Sequence, residues 1–203
     1  MSGILYLVAT PIGNLEDITL RALRTLREVD LIAAEDTRVT RKLLSHYDIH
    51  THMVAYNEHV GEKRVEEILE RLRKGENVAI ASDAGTPGIS DPGYDIVKAA
   101  ISEEIKVVPI PGACAAIAGL VVSGLSTSEF AFLGFPPRKE SERKAFFIKL
   151  KDEQKTTCFY EAPTRILATM RTIAEILGDR QIVIAREITK MFEEIFRGSV
   201  QEA

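Results

Sequence analysis

Several signatures that would place the chain at once are missing. Only two cysteines, Cys114 and Cys158, occur in 203 residues. They lie far apart in apolar settings, with no C-x-x-C or Cys/His spacing, which argues against a disulfide framework or a zinc ribbon and leaves buried free thiols in a reducing compartment as the expectation. No apolar run nears the roughly 20 residues that span a bilayer. The first residues, Met1 to Val8, lack a charged n-region and enter a turn at Thr10-Pro11, so they read as a strand and not a signal peptide. The expectation is a soluble cytoplasmic protein with no membrane partner. A formal net charge of -4 argues against a surface acting as one basic field, so any polyanion must meet local basic clusters. The Walker pattern, G-x-G-x-x-G and the G-x-S-x-G elbow are all absent. His46, His50 and His52 fall in one short polar segment without ligand spacing or carboxylate company, so no metal is expected.

What is present is apolar periodicity. With 45% hydrophobic residues the chain can bury a sizeable core. Residues 4–9 form an apolar run closed by Thr10-Pro-Ile-Gly13; Leu20, Leu23, Leu26 and Val29 then recur at helical spacing with Arg21, Arg24 and Arg27 between them. Short strands are predicted at 31–34, 53–56, 78–81 and 107–110. They alternate with helices running from about Arg41 to Tyr47, through Val65, Ile68, Leu69 and Leu72, and over 94–102. This is an α/β pattern: a mainly parallel sheet covered on both faces, with ligands expected beyond the carboxyl ends of its strands. After Pro111-Gly112 the texture becomes α+β. A helix is predicted at 113–122, strands at 130–134, 156–160 and 181–185, an exposed basic loop over 136–144 entering a helix to about Leu150, and a helix at 166–177. Two domains are expected, 1–112 and 113–203, with the ligand cleft between them.

Five polar or glycine-rich segments fall at the predicted carboxyl edge: 10–17, 35–38, 57–59, 82–93 and 109–113. Polar residues end strands in any α/β fold, but Ser82-Asp-Ala-Gly-Thr-Pro-Gly-Ile-Ser-Asp-Pro-Gly93 is denser in glycine, proline and aspartate than packing requires. Glycine permits close backbone approach and proline fixes the path, so this loop is built to present main-chain groups and carboxylates to a ligand. Without phosphate-binding motifs, a nucleoside-containing ligand lacking phosphates fits; S-adenosylmethionine is one candidate among several. Asp83 and Asp91 fit either a direct site role or turn capping. Glu35-Asp36-Thr37-Arg38 fits a catalytic loop and equally a helix cap with an internal ion pair.

Six ordered blocks carry a resemblance: 10–18, 33–38, 82–93, 111–116, 130–137 and Phe159-Tyr-Glu-Ala-Pro-Thr-Arg165. Together they resemble the tetrapyrrole methylase superfamily and, within it, the branch that methylates cytidine 2'-hydroxyls in small-subunit ribosomal RNA. The resemblance implies a two-domain tetrapyrrole-methylase-like fold, S-adenosylmethionine in the interdomain cleft, a homodimer, and ribosomal RNA or the small subunit as partner. It implies cofactor contacts at Pro11, Ile12, Asp83, Gly85, Thr86, Gly88, Ile89, Ala113, Cys114, Tyr160, Glu161 and Ala185. Porphyrin-modifying members carry G-x-G-P-G and G-D-P where this chain has Thr10-Pro-Ile-Gly13 and Gly85-Thr86-Pro87, which argues against a tetrapyrrole substrate. Family members usually run further, so a C-terminal truncation is expected.

A ribose hydroxyl is a weak nucleophile, so a base or an alkoxide-stabilising cation is needed. The candidates at strand ends are Glu35, Asp36, Glu58 and His59, with Asp36 or His59 favoured as base and Arg38 as cation. Candidate RNA contacts are Arg38, Arg41 and Lys42, and in the second half Arg138, Lys139, Arg143 and Lys144. A tetrapyrrole methyltransferase, or a non-catalytic RNA- or nucleoside-binding protein of the same fold, are the competing readings.

Overall fold

The structure is a computed structural model that describes residues 2–57 and 61–203. The chain divides into two compact units, Met1–Cys114 and Ala115–Ala203.

In the first unit β1 (Ile4–Val8), β2 (Leu31–Ala34), β3 (Met53–Ala55), β4 (Val78–Ala81) and β5 (Lys106–Ile110) form a sheet in the order β3-β2-β4-β1-β5. Every pairing in it is parallel. The helices between them are α1 (Leu20–Glu28), α2 (Thr37–His46), α3 (Gly61–Arg73) and α4 (Tyr94–Ser102). All four residues of β2 and of β4 are buried, as both faces of the sheet are covered. Successive side chains go to opposite faces. Val78 and Ile80 join Ile68 and Leu72 of α3 and Ile96 of α4 in one cluster. Ala79 and Ala81 join Ala22 and Leu26 of α1 and Leu44 of α2 in the other.

The helix ends follow from capping groups. Thr19 Oγ1 accepts the Ala22 N–H at 3.1 Å and starts α1. Asp36 caps α2 by accepting the Arg38 N–H at 2.8 Å, so the helix begins at Thr37 and not near Arg41 as its apolar residues predict. Residues 58–60, the end of the predicted 57–59 loop, lie outside the described residues.

The second unit contains α5 (Ala115–Val121), β6 (Phe130–Phe132), α6 (Glu140–Ile148), β7 (Thr156–Cys158), α7 (Ile166–Leu177), β8 (Gln181–Arg186) and β9 (Glu194–Ser199). Here β6 and β7 pair in parallel, while β8 and β9 form an antiparallel pair. Its core gathers Phe147 of α6, Ile173 of α7 and Val200. Strand β9 was not expected. Glu194, Arg197 and Gly198 mask a short half-buried strand, and only pairing with β8 supplies its partners. The predicted basic loop is largely helix, since α6 starts at Glu140. Cys114 and Cys158 are free but partly exposed, not buried as expected. Among the described residues, no helix is long and apolar enough to cross a membrane.

Candidate functional site

Sheet register decides which loops meet. Ala81 at the end of β4 lies opposite both Val8 of β1 and Ala34 of β2, and Val8 lies opposite Ile110 of β5. The segments that leave these four strands therefore emerge side by side at the carboxyl edge, where ligands bind in open parallel sheets.

The segments that follow β1 and β4 are joined by a short antiparallel bridge. Thr10 N–H donates to Gly85 O at 2.9 Å, and Gly85 N–H donates back to Thr10 O at 3.1 Å. Thr10 Oγ1 donates to Ser82 O and Ser82 Oγ to Gly85 O, both at 3.0 Å. Gly85 holds φ +99°, a conformation closed to side-chain-bearing residues without strain. A Cβ there would stand 3.5 Å from Ile12 Cγ2, and Thr86 Oγ1 donates to Ala113 O at 3.2 Å. Pro11, Ile12, Gly85, Thr86, Ala113 and, through its neighbour, Cys114 are thus drawn into one cluster of loops. Gly88 N–H closes the far end of the long loop on Pro92 O at 3.2 Å, leaving Gly88 and Ile89 exposed.

The β2 and β4 loops are tied through carboxylates. Glu35 Oε2 accepts the Asp83 N–H at 3.2 Å, while Asp83 Oδ1 accepts the Asp36 N–H at 2.9 Å. Asp36 also grips Arg38: Oδ1 accepts Nε at 3.0 Å and Oδ2 accepts Nη2 at 2.6 Å. This arrangement is a helix cap with an internal ion pair. Hydrogen bonds from the Arg38 side chain and main chain lower the Asp36 carboxyl to about 2. So weak a base is a poor acceptor for a hydroxyl proton, which argues against Asp36 as general base. His59 and Glu58 lie outside the described residues. Asp83 is pushed up by burial, with the charge of Asp36 adding to it. Asp91 is raised to about 6, chiefly by burial and then by the charge of Glu35, with the nearby Ser82 hydroxyl opposing the rise.

Beside these carboxylates lies a cavity of about 520 Å³, lined by Glu35, Asp36, Arg38, Asn57, Asp83 and Ser90 among others. It lies wholly within the first unit. Its guanidinium is presented outward, with the Arg38 side chain 86% exposed. Arg41 and Lys42 follow it as exposed cations on α2.

In the second unit Tyr160 OH accepts the Ala116 N–H at 3.2 Å, and its ring packs edge-on to Phe132 with centroids 4.9 Å apart. Glu161 is committed internally: its carboxylate accepts from Thr169 Oγ1 and the Ala162 N–H and pairs with Arg165. Only its main chain is left for a ligand. Ala185 sits in β8. Arg143 is buried and donates to Thr172 Oγ1 and Arg138 O, both at 3.1 Å, which removes it from the RNA-contact set. Lys144 pairs with Glu140 and Glu175, and Lys139 with Glu142, which weakens that cluster as a polyanion surface; Arg138 is exposed. Among the described residues no cluster of His, Cys, Asp and Glu suits a metal ion.

A family model for tetrapyrrole (corrin/porphyrin) methylases matches residues 4–203, and the chain belongs to that family. Within it the chain is 52% identical over 201 residues to the ribosomal RNA small subunit methyltransferase I of Halalkalibacterium halodurans, covering 99% of this chain and 70% of the relative. It is also 52% identical over 200 residues to the protein of that name from Bacillus subtilis, covering 98% of this chain and 68% of the relative. Among solved structures, a diphthine synthase superposes with a TM-score of 0.72 at 15% identity, covering 98% of this chain and 83% of that one. A cobalt precorrin-4 methyltransferase of cobalamin biosynthesis gives 0.69 at 19%, covering 98% and 86%; at such identities the likeness concerns the fold.

Proposed function

We propose that the chain transfers a methyl group from S-adenosylmethionine to the 2'-hydroxyl of a cytidine in small-subunit (16S) ribosomal RNA, working in the cytoplasm as a homodimer. The observation that carries this reading is 52% identity across 99% of the chain to a ribosomal RNA small subunit methyltransferase I. A substrate other than a tetrapyrrole also agrees with Thr10-Pro-Ile-Gly13 and Gly85-Thr86-Pro87 in the two bridged loops.

The residues of the first unit fit the methyl donor. Pro11, Ile12, Gly85, Thr86, Gly88, Ile89, Ala113 and Cys114 offer main-chain groups and apolar contact, with the Asp83 carboxylate beside them and no lysine or arginine among them. That donor set suits a sulfonium nucleoside and has nothing to neutralise a polyphosphate. When bound, S-adenosylmethionine supplies an electrophilic methyl carbon. The protein must then hold the ribose oxygen in line with it and accept the hydroxyl proton. Arg38, fixed by Asp36, binds a backbone phosphate next to the target nucleotide, with Arg41 and Lys42 extending the contact. His59 is assigned the proton-acceptor role, because Asp36 is committed to Arg38.

Mass mapping of ribose methylation in small-subunit ribosomal RNA, with and without the gene, tests the proposal. Loss of one cytidine 2'-O-methyl supports it. Unchanged RNA with altered porphyrinoids would replace it with the tetrapyrrole reading.

A further inference from the structure

The cavity beside Asp83 adjoins the 82–93 loop, whose Gly85 bridges to Thr10. Its lining has a definite hydrogen-bonding sense. Asp36 has both carboxylate oxygens on Arg38, and Glu35 Oε2 is engaged with the Asp83 N–H. Asp83 differs: Oδ1 accepts the Asp36 N–H, while Oδ2 has no hydrogen-bond donor among the described residues. A carboxylate oxygen on a cavity wall that no protein group occupies can accept from an N–H or O–H of whatever enters. Ser90 lines the same cavity with a hydroxyl that can donate, and Ala55 and Pro92 provide apolar surface for a flat ring. Arg38, at the same cavity, offers a pre-oriented guanidinium to a phosphate.

We infer that this cavity is the nucleobase pocket of the enzyme, and that Asp83 selects cytosine by accepting its exocyclic amino group. The inference rests on the proposed cytidine 2'-O-methylation and names the residue that reads the base. Unpaired RNA bases are read on their Watson–Crick edges, and carboxylates pair with the cytosine N4 amine. Uracil places the O4 acceptor where cytosine has that amine, so the same carboxylate attracts one base and repels the other. Ser90 can donate to N3 of cytosine, whereas uracil carries a hydrogen there.

The test uses the full chain with saturating S-adenosylmethionine and two RNA oligonucleotides that differ only by cytidine or uridine at the target. Wild-type protein prefers cytidine in kcat/KM. In Asp83→Asn the side-chain oxygen can still accept the Asp36 N–H, while the new amide donates to uridine O4. The cytidine-over-uridine ratio, a comparison in which any change in cofactor binding cancels, is expected to fall at least about tenfold. An unchanged ratio in a folded Asp83→Asn protein overturns the inference and leaves the proposed function standing.

A second arm is independent of turnover. Cytidine 5'-monophosphate, titrated into isotope-labelled protein, is expected to shift the amide resonances of Asp36, Arg38, Asp83 and Ser90 at lower concentration than uridine 5'-monophosphate. Equal responses, or shifts that avoid these residues, overturn the pocket. Selective cytidine monophosphate binding there, with no RNA methylated, would keep the pocket and sink the proposed function.

Discussion

The Glu35 carboxylate accepts the main-chain N–H of Asp83 at 3.2 Å, and Asp83 returns the contact by accepting the N–H of Glu35's neighbour Asp36 at 2.9 Å. Two loops separated by nearly fifty residues of chain thus hold each other at the edge of the sheet through partly buried carboxylates. The cost is electrostatic, because the charges of Glu35 and Asp83 raise the proton affinity of Asp91, and that of Asp36 raises the proton affinity of Asp83.

That repulsion gives a first prediction. Burial is the largest cause of the raised Asp91 value of about 6, and the charge of Glu35 is the next. Glu35→Gln keeps an oxygen for the Asp83 N–H but removes the charge. Carboxyl titration by carbon NMR is expected to show the Asp91 midpoint moving down, though not to an ordinary aspartate value. An unmoved midpoint would mean that burial alone sets it.

Asp91 also links stability to pH. Its folded value of about 6 exceeds the ordinary 3.8, so the folded chain holds the proton more tightly. The ionised carboxylate therefore destabilises the fold above about pH 6, and the penalty fades as pH falls towards 4. Asp91→Asn is expected to raise stability relative to wild type at about pH 8 and to lose that advantage near pH 4. A shift of this size corresponds to about 3 kcal/mol in full shielding. Solvent screening of a half-buried carboxylate reduces it to on the order of 1 kcal/mol. Denaturant melts at the two pH values measure the difference.

Asp36 behaves in the opposite way. Arg38 lowers its carboxyl to about 2, so its contribution is complete above about pH 4 and is lost only as pH falls through 2. Activity near neutrality is expected to show no titration from Asp36. Asp36→Ala should raise the KM for RNA about tenfold by freeing Arg38, while leaving the shape of the pH–rate profile intact. His59→Asn is expected instead to lower kcat and remove the acidic limb of that profile. The two profiles, measured side by side, separate a positioning residue from a base.

The basic residues divide by burial. Exposed Arg41 and Lys42 are expected each to reduce the salt slope of RNA binding by about one when changed to alanine. Arg143 is 7% exposed and bonded to Thr172 and Arg138. Arg143→Met should leave the slope unchanged and lower stability by about 1–3 kcal/mol, because Arg138 O loses its donor. Filter binding across salt concentrations and thermal melts report the two effects separately.

Close backbone approach limits β1. A Cβ on Gly3 would fall 1.8 Å from the main-chain oxygen of Glu76, and Gly3 N–H donates to Leu72 O at 2.7 Å. Gly3→Ala must push β1 away from the end of α3. The expected loss is about 1–3 kcal/mol or more in denaturant unfolding, with no direct effect on the loops at the other end of the strand.

How much was legible in the sequence can be argued element by element. The strands 31–34 and 78–81 and the helices 94–102 and 166–177 fall where apolar spacing predicts them, since burial on both faces leaves a continuous signal. The cap at Asp36 was legible only as one of two readings, because the same four residues suit an active loop. Arg143 was misread because its neighbours are charged; only the packing of α6 against α7 shows that it points into the core. Strand β9 needed its partner to become visible.

By itself, then, the sequence determined the alternation of strands and helices, the glycine- and proline-rich loop at 82–93, and the motif blocks of the methylase family. These are local properties, carried by periodicity and by residues with restricted or permissive backbones. Tertiary structure alone decided that Glu35, Asp36 and Asp83 share one edge, that Asp36 is spent on Arg38, and that Asp83 accepts the Asp36 N–H. The reason is register: Ala34 and Ala81 lie opposite each other only once β4 has entered between β1 and β2. No spacing along the chain encodes that meeting.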